Sequence, residues 1–139
     1  MDFSLPGHLR HPGYLHVLVT GGRDYANEYE ECEALDRLLE AAEGRHLRMV
    51  VIQGGASGAD AIARQWAWNN NVRLVNERAN WAIDGKGAGP RRNQRMIDRH
   101  TPDLCLALPG GTGTADMVER CVKARIPVLR PTSQLDSGR

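Results

Sequence analysis

Aromatic residues make up only 5% of the 139-residue chain, with a single phenylalanine. Sequence-tolerant binding of single-stranded nucleic acid uses aromatic platforms on which bases stack, and few are present. Charge of one sign is missing too: 18 Lys and Arg against 17 Asp and Glu give a formal net charge of +1. That balance makes no demand for nucleic acid or an anionic membrane as partner. No apolar run approaches the length of about 18 residues that a membrane span needs. Cysteine is scarce, and Cys32, Cys105 and Cys121 show no C-x-x-C spacing. Their odd number and core-like neighbours point to reduced, structural thiols, and so to an intracellular, cytoplasmic protein. The opening "MDFSLPGHLRHPGY" lacks a basic-then-apolar signal layout and reads as an N-terminal arm, residues 1–14. His8, His11 and His16 lie at or before the first strand pattern without metal-ligand spacing, so no metal is expected.

Glycine, by contrast, is well placed. "VVIQGGASGAD" (50–60) and "LALPGGTGTADM" (106–117) share one layout, an apolar run, a Gly-Gly turn and the start of a helical pattern. Gly54 and Asp60 are separated as Gly110 and Asp116 are. A third glycine turn, "VLVTGGRDY", closes the first apolar run at residues 17–25.

Around these turns the apolar periodicity alternates between strand and helix. Strands are expected at 15–20, 48–53, 72–77, 103–108 and 126–130, and helices at 28–42, 58–70, 91–100 and 114–125. Gly44 reads as the stop of the first helix. Residues 78–90 read as a loop from their glycines and Pro90, and 131–139 as a C-terminal tail. Continuously apolar strands alternating with helices imply a mostly parallel sheet covered on both faces. The expected fold, over 15–130, is an α/β Rossmann-like three-layer αβα sandwich of about five strands. In such a sheet ligands bind at the carboxyl ends of the strands, at a switch point of strand order. All three glycine turns lie at strand carboxyl ends.

A helix N-terminus offers unpaired amides and partial positive charge, which suits phosphate. Glycines let the backbone approach an anion closely. The expected nucleotide-binding set is Gly21, Gly22, Arg23 and Asp24 in the first turn, Gly54, Gly55, Ser57, Gly58 and Asp60 in the second, and Gly110, Gly111, Thr112, Gly113 and Thr114 in the third. One such turn is equally well a tight connection; three at one sheet edge favour a ligand. The G-x-G-x-x-G fingerprint is absent and Gln53 stands where a ribose-binding acid would close the second strand, so NAD is not expected. "DGKGAG" lacks the upstream glycine and the following Ser or Thr of a Walker A loop. No cofactor is implied. Asp60 follows Ser57 at capping-box spacing, and both Asp60 and Asp116 are expected in a first helical turn. If phosphate is held there, these aspartates face ribose hydroxyls or the scissile bond instead.

"GPRRNQRMIDRH" (89–100) places four arginines on one helix. Arg91, Arg95 and Arg99 run at four-residue spacing and read as a solvated stripe. Arg92 and Asn93 lie nearer the sheet and the helix start, where an arginine clamp on phosphate is the functional reading. Trp81 either covers the site or pins its loop to the body, Trp66 reads as core, and Trp68 points away from that face.

Together "VLVTGGRDY", "VIQGGASGADAIARQWA", "GKGAGPRRNQRM" and "PDLCLALPGGTGTADMV" resemble the YspA, YpsA-related branch of the SLOG superfamily, over about Val17 to Val128. That superfamily includes the LOG phosphoribohydrolases, the DNA-processing protein DprA and sensor domains for nucleotide-derived signals. The resemblance implies a Rossmann-like fold, a nucleotide or nucleotide-derived ligand, and a homodimer or larger homo-oligomer. LOG enzymes use an arginine in an R-K-x-x-M-type segment, and here Arg92 matches it. Their catalytic glutamate ends P-G-G-x-G-T-x-x-E, and here Met117 stands at that position. Asp116, one residue earlier, is the nearby acid; one residue rotates a helical side chain by about 100°. Hydrolysis would need Asp116, Asp60 or Asp24 in the acidic role.

Two functions follow. In the first, the chain is a sensor, carrier or sequestering module that binds a nucleotide-derived ligand, and the missing glutamate favours it. In the second, Arg92 and Asp116 are catalytic residues of a LOG-like hydrolase that cleaves the N-glycosidic bond of a nucleoside monophosphate. Single-stranded nucleic acid is a third and weaker partner, against which the neutral charge and few aromatics argue.

Overall fold

The structure is a computed structural model that describes residues 5–131; the outer ends of the expected arm and tail, 1–4 and 132–139, lie outside the described residues. Five strands, β1 (Tyr14–Thr20), β2 (Arg48–Gln53), β3 (Arg73–Asn76), β4 (Leu104–Ala107) and β5 (Val128–Leu129), form an all-parallel sheet in the order β3-β2-β1-β4-β5. The chain builds outward from β1 to β3, then returns to pair β4 with the other side of β1. Strand order therefore reverses between β1 and β4, and the crevice at their carboxyl ends is the place where such sheets take ligands.

Helices α1 (Glu28–Gly44) and α2 (Ala59–Asn69) cover one face, and α4 (Ala88–His100) and α5 (Thr112–Lys123) the other. The two-residue period of a strand sorts the core between them. Leu15, Val17 and Val19 of β1 pack with Leu35 and Leu38 of α1 and Trp66 of α2. Leu18 packs the other way, with Met96 of α4 and Met117 and Cys121 of α5. Each fully buried leucine contributes about 1.5–3 kcal/mol relative to leaving it in water. Trp66 also donates its indole N–H to Asp36 at 2.8 Å, while Trp68 is 82% exposed. The cysteines are free thiols, with Cys105 and Cys121 buried in the second core.

Several sequence expectations are corrected. Helix α1 does stop at Gly44, but as its last helical residue: Arg45 is the C-cap, and it is His46 that takes the left-handed conformation (φ 58°) while the Leu47 amide bonds back to Ala42 O at 2.8 Å. Strand β3 is not buried on both faces; it is the sheet edge, with Leu74 37% exposed. The loop expected at 78–90 contains α3 (Trp81–Asp84), capped by the Asn80 side chain, then a 3-10 turn at Gly85–Gly87 and the first turn of α4. Pro90 is accommodated because the first turn of a helix has no intrahelical partner for its N–H. Helix α5 begins at Thr112, two residues early, which takes Asp116 out of the first turn.

The N-terminal arm is docked where it is described. Buried Asp103 accepts the Arg10 and His16 amides, each at 2.8 Å, and Leu5 and Leu9 pack on the first core.

Candidate functional site

The three glycine turns meet. The Gly22 amide donates to Pro109 O at 2.8 Å, the Ala59 amide to Gly22 O at 3.1 Å, and the Ser57 hydroxyl to Arg23 O at 2.9 Å. Such contact requires glycine at Gly58, which has φ +67° and whose missing Cβ would otherwise overlap the carbonyl of Gly22.

The turn between β2 and α2 is closed from inside. Asp60 is buried, and its Oδ2 accepts the amides of Gly54 and Ala56, both at 3.2 Å. The Gly55 amide donates to Gln53 Oε1 at 2.7 Å. Arg64 braces the same turn through Gln53 Oε1 (3.1 Å) and Ala56 O (2.9 Å). The capping box expected of Ser57 and Asp60 does not form: the N-cap is Gly58, without a side-chain bond, because Ser57 turns to Arg23 and Asp60 reaches backward. Burial pushes the Asp60 pKa up, against the two amides and the nearby Arg92 and Arg64 charges. The amides of Gly54, Gly55 and Ala56 are thus spent within the protein, contrary to the expectation that this turn offers them to phosphate.

The turn between β4 and α5 is open. Gly111 is the N-cap of α5 and makes no side-chain bond, and the first amide held by the helix is that of Ala115, bonded to Gly111 O. The amides of Thr112, Gly113 and Thr114 have no backbone partner among the described residues. Gly111, Thr112 and Gly113 are exposed, and Thr114 is buried behind them.

Across from this helix end stands α4. Arg92 Nη1 donates to Gly54 O at 2.9 Å and its Nε to Asn93 Oδ1 at 3.0 Å. Asn93 in turn donates to Asp116 Oδ2 at 3.0 Å and to Gly113 O at 3.2 Å. Asp116 Oδ2 also accepts Arg120 Nε at 2.8 Å, an i,i+4 pair. The arginine and the aspartate of the sequence reading are therefore linked through Asn93. Partial burial raises the Asp116 pKa, but the hydrogen bonds from Arg120 and Asn93 outweigh it and hold the carboxyl below its usual range. Burial, opposed by the Asp60 charge, lowers the pKa of the Arg92 guanidinium.

These elements enclose a cleft of about 660 Å³ whose lining includes Gly21, Gly22, Arg23, Asp24, Arg92 and Thr112. Trp81, 54% exposed, also lines it, and the Arg23 guanidinium lies 5.9 Å from its ring centroid, within cation–π range. The stripe of Arg91, Arg95 and Arg99 is not simply solvated: Arg91 pairs with Asp84, and Arg95 and Arg99 share Glu77. Among the described residues no cluster of His, Cys, Asp and Glu could hold a metal, and no helix is long and apolar enough to cross a membrane.

Four residues at this edge escape a sequence reading. Gln53 and Arg64 carry no motif, and their role emerges only where the turn folds over them. Arg78 and Lys86 lie in the stretch that reads as loop, yet they line pockets of this edge. "NERANW" and "DGKGAG" each pair a single base with a single acid, so composition gives no signal that could have found them.

Comparison with known proteins gives the family and the fold. A sequence model of the YspA, cpYpsA-related SLOG family matches residues 15–83. The Gene 61 protein of Mycobacterium phage D29 is 40% identical over 121 residues, covering 81% of this chain and 93% of the phage protein. The chain belongs to the YspA, cpYpsA-related SLOG family. The X-ray structure of TM1055 superposes on this SLOG chain with a TM-score of 0.61 at 18% identity, over 82% of this chain and 72% of that one, and shows the same α/β fold. The X-ray structure of DNA processing protein A (DprA) from Streptococcus pneumoniae aligns with a TM-score of 0.48 at 13% identity, over 84% of this chain and 58% of that one.

Proposed function

We propose that this SLOG chain is a binding module for a nucleotide or nucleotide-derived ligand. The observation that carries the reading is the uncapped N-terminus of α5. Its free amides open into the cleft at the switch point of the sheet, with Arg92 fixed among the cleft walls. A phosphate over Thr112, Gly113 and Thr114 would receive amide hydrogen bonds, the helix dipole and the charge of Arg92. Trp81 offers a face for a base. Gly54, Gly55, Ser57 and Gly58 shape the second turn, with Ser57 and Gly58 locking it against the first, and Asp60 is the residue that closes it. Family membership supports a nucleotide-related role.

Binding is favoured over hydrolysis by the state of the acids. Asp60 is bonded to two amides, and Asp116 is tied to Arg120 and Asn93. The Asp60 carboxylate serves its own turn, and the bonds from Arg120 and Asn93 hold the Asp116 pKa down, away from the neutral range in which general acid–base chemistry works best. The test is a panel of nucleoside monophosphates, cyclic nucleotides and NAD-derived nucleotides, scored by melting temperature and by chromatography of the products. The expected result is a raised melting temperature with the nucleotide intact. Release of free base or ribose phosphate would replace the binding reading with the hydrolase.

A further inference from the structure

On the β3 side of Arg92 a second pocket, of about 270 Å³, adjoins the main cleft. Arg23, Ala56, Trp81 and Arg92 line both. The second pocket adds Arg78, so three arginines line one small space.

The Gly-Gly pair of the β2–α2 turn makes room for two of them. A Cβ on Gly54 would lie 2.7 Å from Arg92 Cζ, and one on Gly55 would lie 3.1 Å from Arg78 Cγ. The glycines of this motif therefore seat arginine side chains, while its amides are closed by Asp60 and Gln53.

The charges of this pocket are left unbalanced, whereas those beside it are matched. Arg91, Arg95 and Arg99 all have carboxylate partners within 4.0 Å. Among the described residues neither Arg23 nor Arg78 has one. Arg92 spends Nη1 and Nε on Gly54 and Asn93, and its Nη2 has no hydrogen bond among the described residues. The acids whose charge reaches Arg92, Asp60 and Glu77, do not line this pocket: Asp60 lines the main cleft, and Glu77 is paired with Arg95 and Arg99. Like charges gathered in a concave, partly desolvated space repel one another, and an anion among them relieves that cost.

The geometry points to a second anion subsite formed by Arg23, Arg78 and Arg92, so that the ligand is a nucleotide bearing two separate anionic groups. One phosphate sits at the N-terminus of α5, and the second sits among the three arginines, with Trp81 on the wall shared by the two pockets. This rests on the cleft being a nucleotide site, and it narrows the ligand class from nucleotides in general to those with a second phosphate.

The test is calorimetric titration of the full chain with adenosine and guanosine 5′-monophosphates, and with the matching 5′-diphosphates, 3′,5′-bisphosphates and ADP-ribose. At least one doubly phosphorylated ligand is expected to bind about ten-fold or more tighter than its monophosphate. Arg78→Ala is expected to bring that affinity down to the monophosphate's, and Arg78→Lys to retain part of the gain. The Arg78 carbonyl, which accepts Arg95 Nη2 at 3.1 Å, survives both substitutions, so the local fold is kept. If monophosphates bind and a second phosphate adds nothing, the second subsite is overturned and the nucleotide reading stands. If no nucleotide binds, both fall together.

Discussion

The Arg92 guanidinium occupies space that exists only because residue 54 has no side chain. Its Nη1 donates to Gly54 O at 2.9 Å, and a Cβ on Gly54 would overlap that same nitrogen. What would meet the new methyl is the far end of a flexible side chain, which can swing away. Gly54→Ala is therefore expected to leave the melting temperature within about 3 °C of wild type, since the change is well below 1 kcal/mol. It is also expected to weaken nucleotide binding about ten-fold or more, by displacing a charge-assisted contact. Calorimetry on the folded variant checks both numbers; unchanged affinity would take Arg92 out of the binding site.

Gly58→Ala is the contrasting case. Here φ is +67°, and the added Cβ would run into the backbone of Gly22 and Arg23. Backbone cannot swing aside, so left-handed strain and overpacking add together, costing about 3 kcal/mol or more. Chemical denaturation should show this loss directly. A variant as stable as wild type would mean that the first and second turns are not locked together as described.

The sheet is legible in the sequence because β1, β2 and β4 are buried on both faces and so appear as continuous apolar runs. Strand β3 is legible as a strand but not as an edge, since Leu74 and Val75 give no sign of which neighbour is missing. The helical start at Ala88 is hidden because Gly85, Gly87, Gly89 and Pro90 all read as breakers, although each is tolerated at a first turn or in a 3-10 bend. At the site, the convergence of the turns is legible from their shared position at strand ends. The division of labour is not. The two Gly-Gly motifs look alike, but Asp60 folds back onto its own turn whereas Asp116, one helical turn deeper, pairs with Arg120. Only the different helix starts, Ala59 and Thr112, separate the two outcomes.

Glu31 yields a pH prediction. It is fully buried in α1, and among the described residues neither carboxyl oxygen has a hydrogen-bond partner. Burial first, and the Asp60 charge second, push its pKa up to about 9. A carboxyl whose folded pKa is raised holds its proton longer in the native state than in the unfolded chain. Its contribution is fully present below the unfolded value, near 4.5, and is lost as pH rises from there toward 9. Glu31→Gln mimics the protonated form at every pH. It should match wild type at pH 4 and exceed it at pH 7 by up to about 3 kcal/mol in denaturant titrations. Parallel stability curves for the two proteins between pH 4 and pH 8 would show that the buried carboxyl does not take up a proton.

Asp116 carries the opposite sign. Its hydrogen bonds from Arg120 and Asn93 hold its folded pKa below the usual carboxylate range. The stabilisation from this pair is present above the unfolded value, near 3.8, and fades as pH falls through the depressed folded one. Because both side chains are 30% exposed, solvent screening limits the pair to about 1 kcal/mol or less. Asp116→Asn should therefore cost up to that amount at pH 7 and progressively less as pH falls below about 3.8. Asn93 can still meet an amide oxygen at position 116, so its link to the start of α5 should persist and nucleotide affinity should change less than three-fold. The same variant separates the two chemistries proposed for this cleft. If Asp116 is only a strut of the α5 end, neither wild type nor Asp116→Asn releases base from a nucleoside monophosphate. If it takes the acidic role, wild type turns the nucleotide over and the variant does not, and that difference is read by product chromatography under one set of conditions.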